Sequence, residues 1–143
     1  MPDATEDFWP DEIVDAADPA PVALLKEQAE LLGGKTKHAV EGVVKTSTEE
    51  GTAYHSLYLK ADALGDYLYK LLFIAYPAIG QVGKDYPITA QSSAGGPSVK
   101  IESHEEFCDW LRTQLSSDYV RIAISNLLRY VREARRPTRA SSP

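Results

Sequence analysis

The chain has 143 residues, a formal net charge of -6, and hydrophobic and charged fractions of 43% and 25%. This length suits one ordinary globular domain, and the apolar content excludes a wholly disordered chain. The acidic balance disfavours general nucleic-acid binding, which uses basic surfaces, and a single cysteine, Cys108, excludes a disulfide framework within the chain.

Residues 1–17 are predicted to form an acidic arm. The first 18 residues carry seven Asp and Glu residues and no Lys or Arg. They show no apolar signal region, so we expect a cytoplasmic protein with no membrane segment. Phe8-Trp9-Pro10 lies among the acids. The favoured interpretation is that the aromatic pair docks on the protein's own domain; the alternative is a linear motif that binds another protein.

The first predicted helix begins at Asp18-Pro19, because Asp suits the N-cap and Pro suits the first helical position. Apolar residues follow at helical spacing: Val22, Leu25, Ala29 and Leu32. Gly33-Gly34 is expected to end the helix. The run Gly33–Thr36 is not a phosphate-binding loop, since that motif needs an earlier Gly and a preceding strand.

Two strands are predicted next, His38–Thr46 and Thr52–Lys60, with residues 47–51 as a five-residue hairpin loop. A short connection at 61–64, of about one helical turn, leads to the most apolar run, Tyr67–Tyr76. We interpret this run as the central strand, buried on both sides, with strict alternation of its side chains. A buried amphipathic helix is the alternative, because short apolar runs are ambiguous.

After a loop at 77–85, Tyr86–Gln91 is predicted to be a strand that has Pro87 at its start or on an edge. Residues 92–97 form a flexible loop, and 98–101 form a short edge strand. Ser103 opens a second helix with a capping box that ends at Glu106. A third helix runs from about Asp118 to Arg135, with its apolar face at Ile122, Ala123, Leu127, Tyr130, Val131 and Ala134. Residues 137–143 are expected to be disordered.

The predicted fold class is therefore α+β. We expect a mainly antiparallel sheet of four to five strands, with one N-terminal and two C-terminal helices packed against it, in a single domain spanning 18–136.

No catalytic residue, metal-ligand set or cofactor is predicted from the sequence. His104 and Cys108, four residues apart, are the one pair with the spacing of a nucleophile and its base. The favoured interpretation is that they have no catalytic role, with the histidine exposed and the cysteine buried. The lack of a catalytic motif favours a non-enzymatic protein-interaction or regulatory module. Its partner is expected to be another protein or a second copy of the chain, because the acidic arm and a basic helix end could pair in a salt-weakened dimer.

Two sets of candidate site residues follow. The interaction candidates are the arm aromatics and the arginines of the last helix: Phe8, Trp9, Arg129, Arg132, Arg135 and Arg136. The alternative function is a small-molecule site or an enzyme with a pocket between the sheet and the helices, and its candidates are Tyr54, His55, Tyr58 and Tyr69. The favoured interpretation of the clustered tyrosines is that their rings fill the core and their hydroxyls reach its rim. The alternative is a surface that recognises a partner.

Overall fold

The computed structural model describes residues 6–12, 20–65, 67–77 and 85–137. Within these ranges the helices and strands are α1 Pro21–Lys35, β1 Glu41–Glu49, β2 Thr52–Lys60, β3 Leu68–Pro77, β4 Ile88–Ser92, β5 Val99–Ile101, α2 His104–Leu115 and α3 Asp118–Arg135. A single turn of 3-10 helix, Asp62–Leu64, joins β2 to β3. The predicted α+β class is confirmed.

The five strands form one antiparallel sheet whose spatial order, β1-β2-β3-β4-β5, is the order along the chain. The apolar run predicted to be central is β3, and it lies in the middle of the sheet. Its bounds are one residue later than the predicted Tyr67–Tyr76. The interpretation of this run as a helix is therefore wrong.

A bulge interrupts the alternation of β3. Leu57 pairs with Leu72 while Tyr58 pairs with Lys70, so Leu71 is an extra residue. An extra residue shifts the side chains that follow it to the other face, and Leu71 and Leu72 are both buried. The prediction of strict alternation is wrong for this reason.

The core lies on one face of the sheet. Leu57 and Leu59 of β2 point into it, and they pack with buried side chains from all three helices: Leu25, Ala29, Phe107, Leu111, Val120 and Leu127. The opposite face carries Tyr54, Tyr58 and Phe73, which are half-buried and lie outside that core. The expectation that the central strand is buried on both sides is therefore not met, because the described helices all pack on the first face.

Helix α1 ends later than predicted. It begins at Pro21 with Ala20 as N-cap, and the predicted start at Asp18-Pro19 lies outside the described residues. Gly33 and Gly34 lie inside the helix, which continues to Lys35. The chain leaves the helix at Thr36, whose hydroxyl lies 3.1 Å from the Leu32 carbonyl oxygen and 2.7 Å from that of Val40.

The first hairpin is tighter than predicted. Residues 47–49 belong to β1, and only Glu50 and Gly51 form the turn, with φ angles of 49° and 79°. Two positive φ angles give a turn whose twist matches that of paired strands. At its other end, β1 starts at Glu41 rather than His38, because Lys37 and His38 have φ angles of 51° and 63°, outside the strand region.

The C-terminal helices begin at the residues that the sequence indicates. The Ser103 side chain accepts a hydrogen bond from the backbone N–H of Glu106 (3.2 Å), while the Glu106 carboxylate accepts one from the N–H of Glu102 (2.8 Å). The capping box is therefore present in a shifted form. Helix α3 has the predicted bounds, and the Ser117 hydroxyl accepts a hydrogen bond from the N–H of Val120 (3.3 Å). These caps satisfy backbone N–H groups at the starts of α2 and α3.

Candidate interaction site

Helix α3 carries more apolar surface than the core covers. Val120, Leu127 and Val131 are buried and form its core-facing stripe. Ile122 and Tyr130, predicted to belong to the same face, are 50% and 53% exposed. At 3.6 residues per turn, Ile122 lies about 160° around the helix from Val120, so both cannot face one sheet. The prediction that Ile122 and Tyr130 are core residues is therefore wrong.

These two exposed side chains line a cavity of about 450 Å³ between α3 and the corner where the 3-10 turn enters β3. We call it the α3 groove. Its walls are Tyr67, Tyr69, Tyr119, Ile122, Asn126 and Tyr130, and Leu64, Ala123 and Leu127 complete the lining. Four tyrosines from separate parts of the sequence meet here, and Asn126 adds an amide to a surface that is otherwise apolar and phenolic.

A pair of tyrosines holds the two walls of the groove together. The hydroxyl groups of Tyr69 on β3 and Tyr119 on α3 are hydrogen-bonded, and their ring centroids are 6.4 Å apart. The hydrogen bond to Tyr119, followed by burial, raises the pKa of Tyr69 above its usual 10.0. Tyr69 therefore remains neutral at physiological pH, and both tyrosine rings line the groove.

A stripe of positive charge borders the groove. Helix α3 with its C-cap residue contains five arginines against two carboxylates, Asp118 and Glu133. At helical spacing, Arg121, Arg129 and Arg132 lie beside the Ile122–Tyr130 stripe. Arg121 pairs with Asp118 at 3.4 Å and Arg132 with Glu133 at 3.5 Å. The Arg129 guanidinium lies 5.1 Å from the centre of the Tyr130 ring. The groove is thus an apolar surface with a cationic edge.

The structure places the predicted interaction residues in two separate regions. Arg129, Arg132, Arg135 and Arg136 are all exposed on the last turns of α3 and just beyond it. Phe8 and Trp9 are 86% and 75% exposed, so in this structure they do not dock on the described part of the domain. The backbone N–H of Trp9 donates a hydrogen bond to the Asp7 carboxylate at 3.0 Å, within the arm itself.

The predicted pocket residues do not come together. Tyr54 and Tyr58 lie on the sheet face away from the helices, where the Lys45 and Lys70 ammonium groups each lie 5.8 Å from the centre of the Tyr58 ring. His55 lies on the other face and is buried. Of the four candidates, Tyr69 alone lines the α3 groove.

His55 belongs to a buried hydrogen-bonded chain. Its Nδ1 lies 2.8 Å from the Thr46 hydroxyl, and its Nε2 lies 2.7 Å from the Tyr76 hydroxyl. Burial, with a smaller effect of Lys26, lowers the pKa of His55 below 6.5. Because both ring nitrogens are hydrogen-bonded within the protein, this histidine is a core residue and has no free nitrogen that could bind a ligand.

His104 and Cys108 do lie side by side on α2, as their spacing suggests. Cys108 Sγ is 3.4 Å from His104 Nε2, and the Tyr86 hydroxyl is 3.4 Å from His104 Nδ1. Burial, then nearby Cys108 and Asp85, raises the pKa of Tyr86 to about 12. The oxygen–nitrogen distance is long for a hydrogen bond, and His104 is exposed, so the imidazole is only loosely oriented.

Within the described ranges, no cluster of three or more His, Cys, Asp or Glu side chains is placed to hold a metal ion. None of the helices in the same ranges combines the length and the apolar character needed to cross a membrane. Comparison of the chain with models of protein families, with curated proteins and with solved structures gives no match.

Sequence reasoning missed Ile122, Asn126, Tyr119 and Tyr130 as site residues. A signal for them was present, because the apolar residues of α3 spread over a wider arc than a helix packed on one sheet can bury. The other wall, at Tyr67 and Tyr69, follows a 3-10 turn whose packing on α3 depends on tertiary contacts. No local sequence pattern encodes that contact.

Proposed function

We propose that this protein is a non-enzymatic protein-interaction module, and that the α3 groove binds an acidic peptide segment carrying aromatic side chains. The observation that carries the proposal is the exposed apolar groove itself, four tyrosines and an isoleucine beside a row of arginines. Tyrosine and arginine are enriched where proteins bind one another, and aromatic side chains are the usual anchors.

The openness of the groove favours a peptide over a small molecule. Sites for small ligands enclose most of the ligand surface. Here Tyr67, Ile122 and Tyr130 are each about half exposed, so a bound group would be covered on one side only. The arginine edge supports an acidic partner, because opposite charges increase the association rate and fix the orientation.

The alternative function, a small-molecule or catalytic pocket near His55 and Tyr54, has weaker support. His55 is 6% exposed with both nitrogens hydrogen-bonded, and Tyr54 lies on the opposite face of β2. A ligand that contacts one of these side chains cannot reach the other without crossing the sheet. We therefore retain the interaction module as the proposed function.

Selection from a displayed library of random peptides tests the proposed function. We expect the full chain to enrich peptides that combine Phe or Trp with Asp or Glu. The Ile122→Asp variant should lose these peptides, because it places a carboxylate in the apolar wall. Leu31→Asp is the matched control, since Leu31 is also 50% exposed but lies on α1, away from the groove.

The proposal fails if no acidic aromatic peptides are enriched over an unrelated immobilised protein. It also fails if Ile122→Asp binds the enriched peptides as tightly as the unmodified chain does. Far-ultraviolet circular dichroism of both variants shows whether each retains the fold.

A further inference from the structure

Within residues 6–12, 20–65, 67–77 and 85–137, no segment covers either the aromatic arm or the α3 groove. Phe8 and Trp9 extend into solvent, and so do Ile122 and Tyr130. Resting on the function proposed above, we infer that the occupant of the α3 groove is the Phe8-Trp9 arm of a second copy of this chain, exchanged reciprocally in a dimer. Each copy supplies one arm and one groove, so the exchange covers these four side chains in both copies.

Charge complementarity supports this occupant. The described part of the arm, residues 6–12, carries four carboxylates around the aromatic pair: Glu6, Asp7, Asp11 and Glu12. The edge of the groove carries the excess arginines of α3. Docking Trp9 between the tyrosines brings these opposite charges together at the rim, where they steer association and are screened by salt.

The arm is partly organised for binding before it docks. Pro10 restricts the backbone of Trp9 to extended conformations, and the hydrogen bond from the Trp9 N–H to Asp7 turns the chain just ahead of it. Restricting a segment to its bound shape lowers the entropy lost on association. An extended arm followed by proline therefore suits insertion of the indole ring into a groove.

The chain between Trp9 and the start of α1 is long enough for exchange. The segment from Trp9 to Pro21 spans at most about 40 Å when fully extended, which exceeds the diameter of a small domain, about 30 Å. Two reciprocal contacts form a closed pair in which the second arm docks at a high effective concentration. We therefore expect a dimer and not an open chain of copies.

Sedimentation of the full chain over a range of protein and salt concentrations tests the inference. We expect a monomer–dimer equilibrium that shifts toward monomer as ionic strength rises. Trp110→Phe leaves Trp9 as the one tryptophan, since the chain has two. Its fluorescence should become protected from iodide quenching as protein concentration increases, in step with dimer formation.

Variants identify the two contacting surfaces. Trp9→Ser and Ile122→Asp should each raise the dimer dissociation constant by at least about tenfold, because each removes a central anchor. Leu31→Asp should leave it unchanged. An equal mixture of Trp9→Ser and Ile122→Asp chains should regain part of the association that neither shows alone, because one copy has an intact groove and the other an intact arm.

Three results would overturn the inference. They are a chain that stays monomeric at every concentration, a dimer that neither substitution weakens, and protection of Trp9 that is independent of concentration, which would place the arm on its own chain. If the chain is monomeric but acidic aromatic peptides still bind the groove, the proposed function stands without the exchange. If Ile122→Asp affects neither the peptides nor the dimer, both fail.

Discussion

At the residue scale, His55 is held in place by hydrogen bonds at both ring nitrogens. It is a buried polar side chain in an apolar neighbourhood, held between the hydroxyls of Thr46 and Tyr76 on the two strands that flank β2. A buried polar atom is tolerated when it is hydrogen-bonded and destabilising when it is not. The Thr46–His55–Tyr76 hydrogen bonds therefore link three adjacent strands through side chains, in addition to the backbone hydrogen bonds of the sheet.

Removing one hydroxyl group from these hydrogen bonds should destabilise the fold. We expect Tyr76→Phe to lower the free energy of unfolding by about 1–3 kcal/mol, because it leaves His55 Nε2 buried without a partner. Tyr58→Phe, on the sheet face away from the helices, is the control and should change it by less than about 0.5 kcal/mol. Urea unfolding curves of the three proteins give the comparison. Equal stability of the two variants would contradict this role for Tyr76.

The protonation of His55 should make stability depend on pH. Burial and Lys26 lower its folded-state pKa below the 6.5 of an unfolded chain, so the unfolded state takes up the proton first. Its contribution to stability is therefore complete above pH 6.5 and is lost as pH falls through that value toward the folded-state pKa. The groups facing it are Thr46, Tyr76 and Lys26.

The measurement is the free energy of unfolding between about pH 8 and pH 5. We expect it to fall on acidification, and the fall to be smaller in His55→Gln, whose side chain does not titrate. His38→Gln provides the control, because His38 is exposed and pairs with Glu41 at the surface. A pH profile that His55→Gln leaves unchanged would exclude His55 as the cause.

At the element scale, the contact between α1 and the sheet depends on the absence of a side chain. A Cβ atom on Gly42 of β1 would lie 2.6 Å from the Cα atom and 2.7 Å from the Cβ atom of Ala29 in α1. These are backbone and short side-chain atoms that cannot rotate away. Helix and strand therefore approach closely only because both positions are small.

Substitution of two glycines should have opposite effects. Gly42→Ala forces α1 away from the sheet and should destabilise the protein by about 1–3 kcal/mol, as overpacking does. Gly34→Ala, within α1 and with no atom near the added methyl group, should stabilise it by up to about 1 kcal/mol through helix propensity. Thermal unfolding of both variants measures the difference. A tolerated Gly42→Ala would refute the tight packing.

The elements also show how much of the fold the sequence could predict. Thr52–Lys60 and Asp118–Arg135 were predicted with their observed bounds, because the spacing of apolar residues is a local signal. The bulge at Leu71 and the inclusion of Gly33-Gly34 in α1 were not predicted. The bulge depends on tertiary packing, since Leu71 is buried in the core. Gly33 is also buried, and the side chains nearest to it are those of His38 and Glu41, which follow the helix. The groove was missed because Ile122 and Tyr130 were assigned to the core.

At the scale of the whole molecule, the three helices and the sheet share a single core. Phe107 of α2 is fully buried within it and stacks on Trp110 with a centroid distance of 6.4 Å. The same cluster includes Leu25 of α1 and Leu127 of α3. A domain whose elements all depend on one cluster is expected to unfold in one cooperative transition.

Phe107→Ala tests this cooperativity. We expect it to lower the free energy of unfolding by about 3–5 kcal/mol, through lost burial and the cavity that remains. The Trp110 fluorescence and far-ultraviolet circular dichroism transitions should shift together, and Val99→Ala, on an exposed edge position of β5, should shift neither. Separate transitions for the two signals would mean that the helices and the sheet unfold independently.

The aromatic face of the sheet has a consequence for behaviour in concentrated solution. Lys70 lies 5.8 Å from the Tyr58 ring centre and 5.6 Å from that of Phe73, and Lys45 approaches Tyr58 from the neighbouring strand. These ammonium groups approach the ring faces, and their like charges repel an identical face. We therefore expect the lysines to keep the protein soluble. Neutralising them by acetylation would leave an aromatic surface through which the sheets of two copies stack face to face.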